Sequence, residues 1–115
     1  MKEATKKTED QPAREDGPAG VWVFGDIRTE ALKKATRSLL DVASGLAGKR
    51  AAPLSLVLLG RGLKPHIESF LSSPADRILF MDHQRLEHYR QETYTGALAH
   101  LAREERPEIF LFLSN

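Results

Sequence analysis

"LSLVLLG", residues 54–60, decides the fold. Apart from Ser55 and the closing Gly60 the run is continuously apolar. A strand with one wet face alternates apolar and polar residues, whereas a strand covered on both faces has no reason to. The run therefore predicts an inner strand of a parallel sheet with helices packed above and below it.

Working outward, "VWVFG" at residues 21–25 is a second short run of β-formers ending in glycine, and it reads as the preceding strand. Between the two, Thr29 is placed to cap a helix, with Glu30 in its first turn. Leu32, Ala35, Leu39, Val42, Ala43 and Leu46 then recur at steps of three and four, Lys33, Lys34, Arg37 and Asp41 take the other face, and Gly48 supplies the stop. Beyond residue 60, Pro65 stands where a helix can begin, and Ile67, Phe70 and Leu71 give it a short apolar stripe. "RILFM" at 77–81 is the third strand. A longer helix is expected from about residue 85 to 105, with Leu86, Tyr89, Thr93, Ala97 and Leu101 along one face. Pro107 ends it, and the apolar run at 109–113 is the fourth strand.

The order β-α-β-α-β-α-β with short connections predicts right-handed crossovers in one sheet. The expected fold class is α/β, a Rossmann-like (adenine-nucleotide-hydrolase-like) parallel sheet with flanking helices, incomplete at its C-terminus because the last strand has no following helix to cover it. Residues 1–20 contain no Val, Ile, Leu or aromatic residue and are expected to form a disordered tail, leaving residues 21–115 as the folded part.

Composition narrows the function classes. The net charge is +1 with the two signs interspersed, so nothing in the charge pattern calls for nucleic acid or an anionic membrane surface. Zero cysteines remove disulfides, thiolate chemistry and cysteine metal sites, in keeping with a reducing compartment. Glu3, Glu9, Asp10, Glu15 and Asp16 make the start of the chain unlike an acid-poor transit peptide, and no apolar stretch approaches a membrane span. The expectation is a cytoplasmic bacterial or archaeal protein without membrane insertion.

In such sheets ligands bind outside the carboxyl ends of the strands where the strand order reverses. If the first and fourth strands flank that point, Gly25-Asp26-Ile27-Arg28 and Ser114-Asn115 line it. Gly60-Arg61-Gly62 sits between a strand and a helix but lacks the spacing of a phosphate-binding glycine loop. Asp82, His83 and His88 cluster near the end of the third strand, yet their spacing fits no zinc pattern, and His66 and His100 have no partners in sequence. Ser38, Ser55, Ser69 and Ser114 lie in no activating elbow, and Trp22, Tyr89 and Tyr94 read as core or interface aromatics. No catalytic, cofactor-binding or metal-binding residue is assigned.

One longer pattern is more informative. "GVWVFGD", "LVLLGRGL", "DRILFMDH", "LEHYRQETY" (86–94) and "RPEIFLF" follow one another in an order and spacing that resemble the N-terminal domain of the electron-transfer flavoprotein alpha subunit family. Residues 21–24, 58–60, 75–78, 86–94 and 106–112 carry the resemblance. The chain departs from the family pattern at Gly25-Asp26-Ile27 after the first strand and at Leu113-Ser114-Asn115, where the family shows a Gly-Ala-Thr-like turn.

The resemblance implies a scaffold and heterodimer-interface segment paired with a beta subunit, in an electron carrier that is not itself an enzyme. It implies FAD held in the complete subunit, with none expected to bind this segment alone. It further implies electrons drawn from acyl-CoA or other flavin dehydrogenases and passed to a quinone oxidoreductase. An alternative with the same element order is an adenine-nucleotide-binding module of the universal-stress-protein type.

Overall fold

The computed structural model describes residues 20–113 and the backbone of residues 2–5. Its elements run β1 (Lys2–Thr5), β2 (Val21–Phe24), α1 (Glu30–Lys49), β3 (Leu54–Gly60), α2 (Lys64–Phe70), β4 (Arg77–Asp82), a 3-10 turn (Gln84–Leu86), α3 (Gln91–Glu105) and β5 (Ile109–Leu111). The sheet order is β1-β4-β3-β2-β5. β4, β3, β2 and β5 are mutually parallel, and β1 joins the outside of β4 antiparallel.

All seven residues of β3 are buried, as its apolar run predicts. Leu54, Leu56 and Leu58 face a core with Val23, Leu40, Ala43, Leu63, Phe70 and Ile78. Val57 and Leu59 face the opposite core with Trp22, Leu79, Leu86, Tyr94 and Leu101. The first core lies under α1 and α2, the second under α3, so both faces of the sheet are covered and the fold is the expected α/β one.

Helix α1 starts where its sequence says, with Thr29 Oγ1 accepting the Leu32 N–H at 3.1 Å. The apolar stripe is rotated by about one position from expectation. Thr36, Leu40, Ala43 and Ala47 are the buried set, and Val42 is 69% exposed. Gly48 does not stop the helix, which runs on to Lys49. The Ala51 and Ala52 amides donate to the Gly48 and Ala47 carbonyls at 3.2 and 3.0 Å, a Schellman closure with Ala51 in the left-handed position at φ 51°.

The helix expected over residues 85–105 is in fact two pieces. In a continuous helix the Leu86 carbonyl would accept the N–H of Arg90. Instead the Tyr94 hydroxyl donates to it at 2.7 Å, Arg90 is extended at φ −136°, and α3 begins only at Gln91. On the other side of the break, His83 Nδ1 accepts the Arg85 N–H at 3.0 Å and closes the 3-10 turn.

Two further corrections concern the start of the chain. Lys2–Thr5 is a strand rather than part of a disordered tail, since pairing on an open sheet edge needs main-chain groups and no apolar pattern. Gly20 is already built into the sheet. At φ +84° its carbonyl accepts the Glu108 N–H at 2.8 Å, and an added Cβ would stand 2.3 Å from the Pro53 oxygen. Residues 6–19 and the pair Ser114-Asn115 lie outside the described residues.

Candidate functional site

The strand order reverses between β2 and β5, so the switch point lies where the sequence places it, and Gly25 to Arg28 leave the carboxyl end of β2 beside it. Gly25 passes close under its neighbours: its N–H donates to the Val57 carbonyl at 2.8 Å, and a Cβ there would meet Leu58 Cδ2 at 2.5 Å. That approach turns Asp26 inward. The Asp26 N–H donates to Thr36 Oγ1 at 3.0 Å, which fastens the loop to α1.

The Asp26 carboxylate is gripped by Arg28. Arg28 Nε donates to Oδ1 at 2.9 Å, Nη2 to Oδ2 at 2.6 Å, and the Arg28 backbone N–H to Oδ1 at 3.2 Å. Burial acts to raise the pKa of this carboxyl, and the hydrogen bonds and charge of Arg28 outweigh it, so Asp26 is held below its ordinary value. The Arg28 guanidinium also lies over the Tyr89 ring at 4.6 Å from its centroid. Tyr89 meets Tyr94 edge to face at 4.9 Å, and Phe24 contacts Tyr94 and Phe112 at 6.4 and 5.8 Å.

These groups close the cleft. What remains among Phe24, Asp26, Ile27, Arg28, Leu59, Tyr89 and Tyr94 is a space of about 20 Å³, room for one water. Its two buried titratable groups are committed: Asp26 to Arg28, and the Tyr94 hydroxyl to the Leu86 carbonyl, with burial raising its pKa. Among the described residues no carboxylate or imidazole stands free there to accept a proton, and those presented to solvent are the half-exposed Arg28, Tyr89 and Phe112.

The other sequence candidates are engaged locally. The amides of Gly62 and Leu63, which a phosphate would need, donate to Asp82 Oδ1 and Oδ2 at 3.0 and 2.9 Å. Asp82 thus serves the Gly60-Arg61-Gly62 turn, while His83 caps the next turn and His88 Nε2 lies 3.5 Å from Glu87 Oε2. The three are not brought together, and among the described residues no group of three metal-ligating side chains converges. His100 pairs with Glu104 on the surface of α3. Among the described residues His66 Nδ1 is buried with no hydrogen-bond partner, and burial, reinforced by Lys33, lowers its pKa.

Sequence reasoning placed Asp26 and Arg28 at the switch point but not the clasp between them. Its only sequence signal is the spacing of two between opposite charges at the end of a strand. The partnership of Arg28 with Tyr89 spans sixty-one positions and has no local signal at all.

Residues 21–115 match the family model for the electron transfer flavoprotein domain. A Clostridium acetobutylicum protein named electron transfer flavoprotein subunit alpha is 34% identical over 90 residues, covering 78% of this chain and 27% of that protein. Protein FixB of Clostridium saccharobutylicum is 34% identical over 90 residues, with coverage of 78% and 27%. The acryloyl-CoA reductase electron transfer subunit beta of Anaerotignum propionicum is 29% identical over 91 residues, covering 79% of this chain and 25% of that protein. The chain spans about a quarter of the length of these relatives. The match takes in all four parallel strands and the three helices between them, and with it the chain belongs to the electron transfer flavoprotein domain family.

Proposed function

We propose that this chain is the N-terminal scaffold and heterodimer-interface segment of an electron transfer flavoprotein alpha subunit. It pairs with a beta subunit in the cytoplasm and has no catalytic activity of its own. The assembled carrier takes electrons from flavin dehydrogenases and delivers them to a quinone-linked oxidoreductase. The donors are acyl-CoA or other flavin dehydrogenases; the relative named for acryloyl-CoA reductase supports a link to acyl-CoA chemistry, with the reductase on the electron-accepting side.

FAD is the cofactor that the family name implies, and the described residues do not fit it. The switch-point space of about 20 Å³ is far below the roughly 300 Å³ at which small-molecule sites begin. Its one anionic side chain, Asp26, is clasped by Arg28, and the turn amides of Gly62 and Leu63 are already occupied by Asp82. FAD is therefore assigned to other parts of the assembled carrier. The same filled cleft disfavours the adenine-nucleotide module of universal-stress-protein type.

The observation that carries the proposal is this closed cleft on a sheet of the flavoprotein family. Two measurements test it: flavin retention by the purified chain on equilibrium dialysis against FAD, and its capture by an electron transfer flavoprotein beta subunit on co-expression. We expect no stoichiometric flavin and one-to-one capture. A chain that retains one FAD, or that ignores the beta subunit, would overturn the proposal.

A further inference from the structure

We propose that Lys2–Thr5 guards the β4 edge of the sheet, keeping it from pairing with the β4 edge of a second copy of this chain. The strand lies outside the residues that match the flavoprotein family. It pairs along β4 from Lys2 opposite Phe80 to Thr5 opposite Arg77, and it is the one antiparallel member of the sheet.

The edge it covers is a hazardous one. Between Arg77 and Asp82, β4 reads Ile78-Leu79-Phe80-Met81, four apolar β-compatible residues without a charge or proline. An uncovered strand of this kind is a template for another chain. Two such edges meeting antiparallel across a two-fold axis would be self-complementary, and that commits the competing occupant to a second copy. The guard replaces this edge with a shorter one of four residues, one of the devices that blunt sheet edges.

The pairing is favoured within one chain. Fourteen residues separate Thr5 from Gly20. Fully extended they reach about 46 Å, whereas the three strand spacings from β1 to β2 come to about 14 Å. A tether of this length keeps the guard at an effective concentration on the order of millimolar, well above that of a second copy in dilute solution.

Hydrogen exchange can read the guard directly. The His83 N–H donates to the Gly60 carbonyl at 2.9 Å beyond the end of the β3·β4 ladder. Alternation back from that bond sends the amides of Leu79 and Met81 toward β3 and those of Ile78 and Phe80 toward β1. The experiment compares the full chain with Glu3→Pro/Ala4→Pro and with the chain lacking residues 1–5, by amide exchange and sedimentation equilibrium.

In the unaltered chain all four amides should be protected. In both variants Ile78 and Phe80 should lose protection about tenfold or more while Leu79 and Met81 keep theirs, and concentration-dependent dimers should form at concentrations where the unaltered chain is a monomer. The β5 edge is common to all three chains, so the difference isolates β4. Fast exchange at Ile78 and Phe80 in the unaltered chain would overturn the proposal. So would variants that bare β4 and stay monomeric, or variants in which Leu79 and Met81 also lose protection, because then the strand holds the fold together rather than guarding an edge.

Discussion

Tyr94→Phe removes one oxygen atom from the second core and tests what breaks the helix between Leu86 and Gln91. Tyr94 is 8% exposed, and its hydroxyl donates to the Leu86 carbonyl at 2.7 Å in buried surroundings. The second contact, to the Leu59 carbonyl at 3.4 Å, is too long to add much. Removing the donor leaves a buried carbonyl unsatisfied, which costs about 1–3 kcal/mol rather than the ~1 kcal/mol net worth of an ordinary hydrogen bond. The ring contacts with Phe24 and Tyr89 survive in phenylalanine, so no cavity adds to the cost. We expect a loss of about 2 kcal/mol, which for a domain of this size lowers Tm by about 8–16 °C. Thermal and urea unfolding followed by circular dichroism measure it. Tyr89→Phe is the control: Tyr89 is 47% exposed, and the change should stay within about 0.5 kcal/mol. A Tyr94→Phe loss no larger than that of the control would refute the argument that this hydroxyl holds the break open.

Two other substitutions address the site and the end of α1. Because the pKa of Asp26 is lowered in the folded chain, its carboxylate adds stability above its unfolded pKa of about 4, and that contribution disappears as pH falls through the lower folded value. Asp26→Asn should therefore destabilise the chain at pH 7 and leave a flatter stability profile below about pH 4; urea midpoints across the acid range that run parallel in the two proteins would contradict it. Ala51 occupies the left-handed position of a Schellman closure at φ 51°, where a Cβ costs about 1 kcal/mol, part of which the greater chain entropy of glycine cancels. Ala51→Gly should raise stability by about 0.5 kcal/mol and Tm by about 2–4 °C in a thermal melt, and a fall would show that the closure is not strained.

How much of this was legible in the sequence depends on how far apart the deciding groups are. β2, β3 and β4, the start of α1 and the site of the switch point all follow from runs of apolar residues and from Thr29, signals contained within a few positions. The break before Gln91 was hidden because it is made by a hydroxyl reaching back eight residues, from Tyr94 to the Leu86 carbonyl. On periodicity alone Leu86, Tyr89, Thr93 and Ala97 still read as one helical face. The rotation of the α1 stripe has a simpler cause: alanines and leucines occur on several sides of that helix, and only contact with β2 and β3 selects Leu40 and Ala43 over Val42. β1 escaped notice because its pairing rests on main-chain bonds to β4, to which side-chain patterns are blind. Asp82 looked like one of three metal-ligating candidates, and its real partners, two turn amides some twenty positions earlier, are backbone groups with no signature of their own.

The closed cleft bears on function through what it leaves available. At the carboxyl end of a doubly wound sheet a nucleotide needs an open crevice, glycine-permitted backbone approach and unopposed amide donors. Here the close approach at Gly25 serves to turn Asp26 inward, Arg28 neutralises the carboxylate it introduces, and Tyr89 covers the guanidinium. Each step uses a group that could otherwise have met a ligand. The balance is a surface of arginine and aromatic side chains over a rigid base, the composition found at the energetic centres of protein interfaces. On the function proposed above, electron transfer asks no proton donor or acceptor of this segment. A site whose buried ionisable groups, Asp26 and Tyr94, are already paired and whose outer side carries arginine and aromatic rings offers a surface for recognition rather than acid–base chemistry.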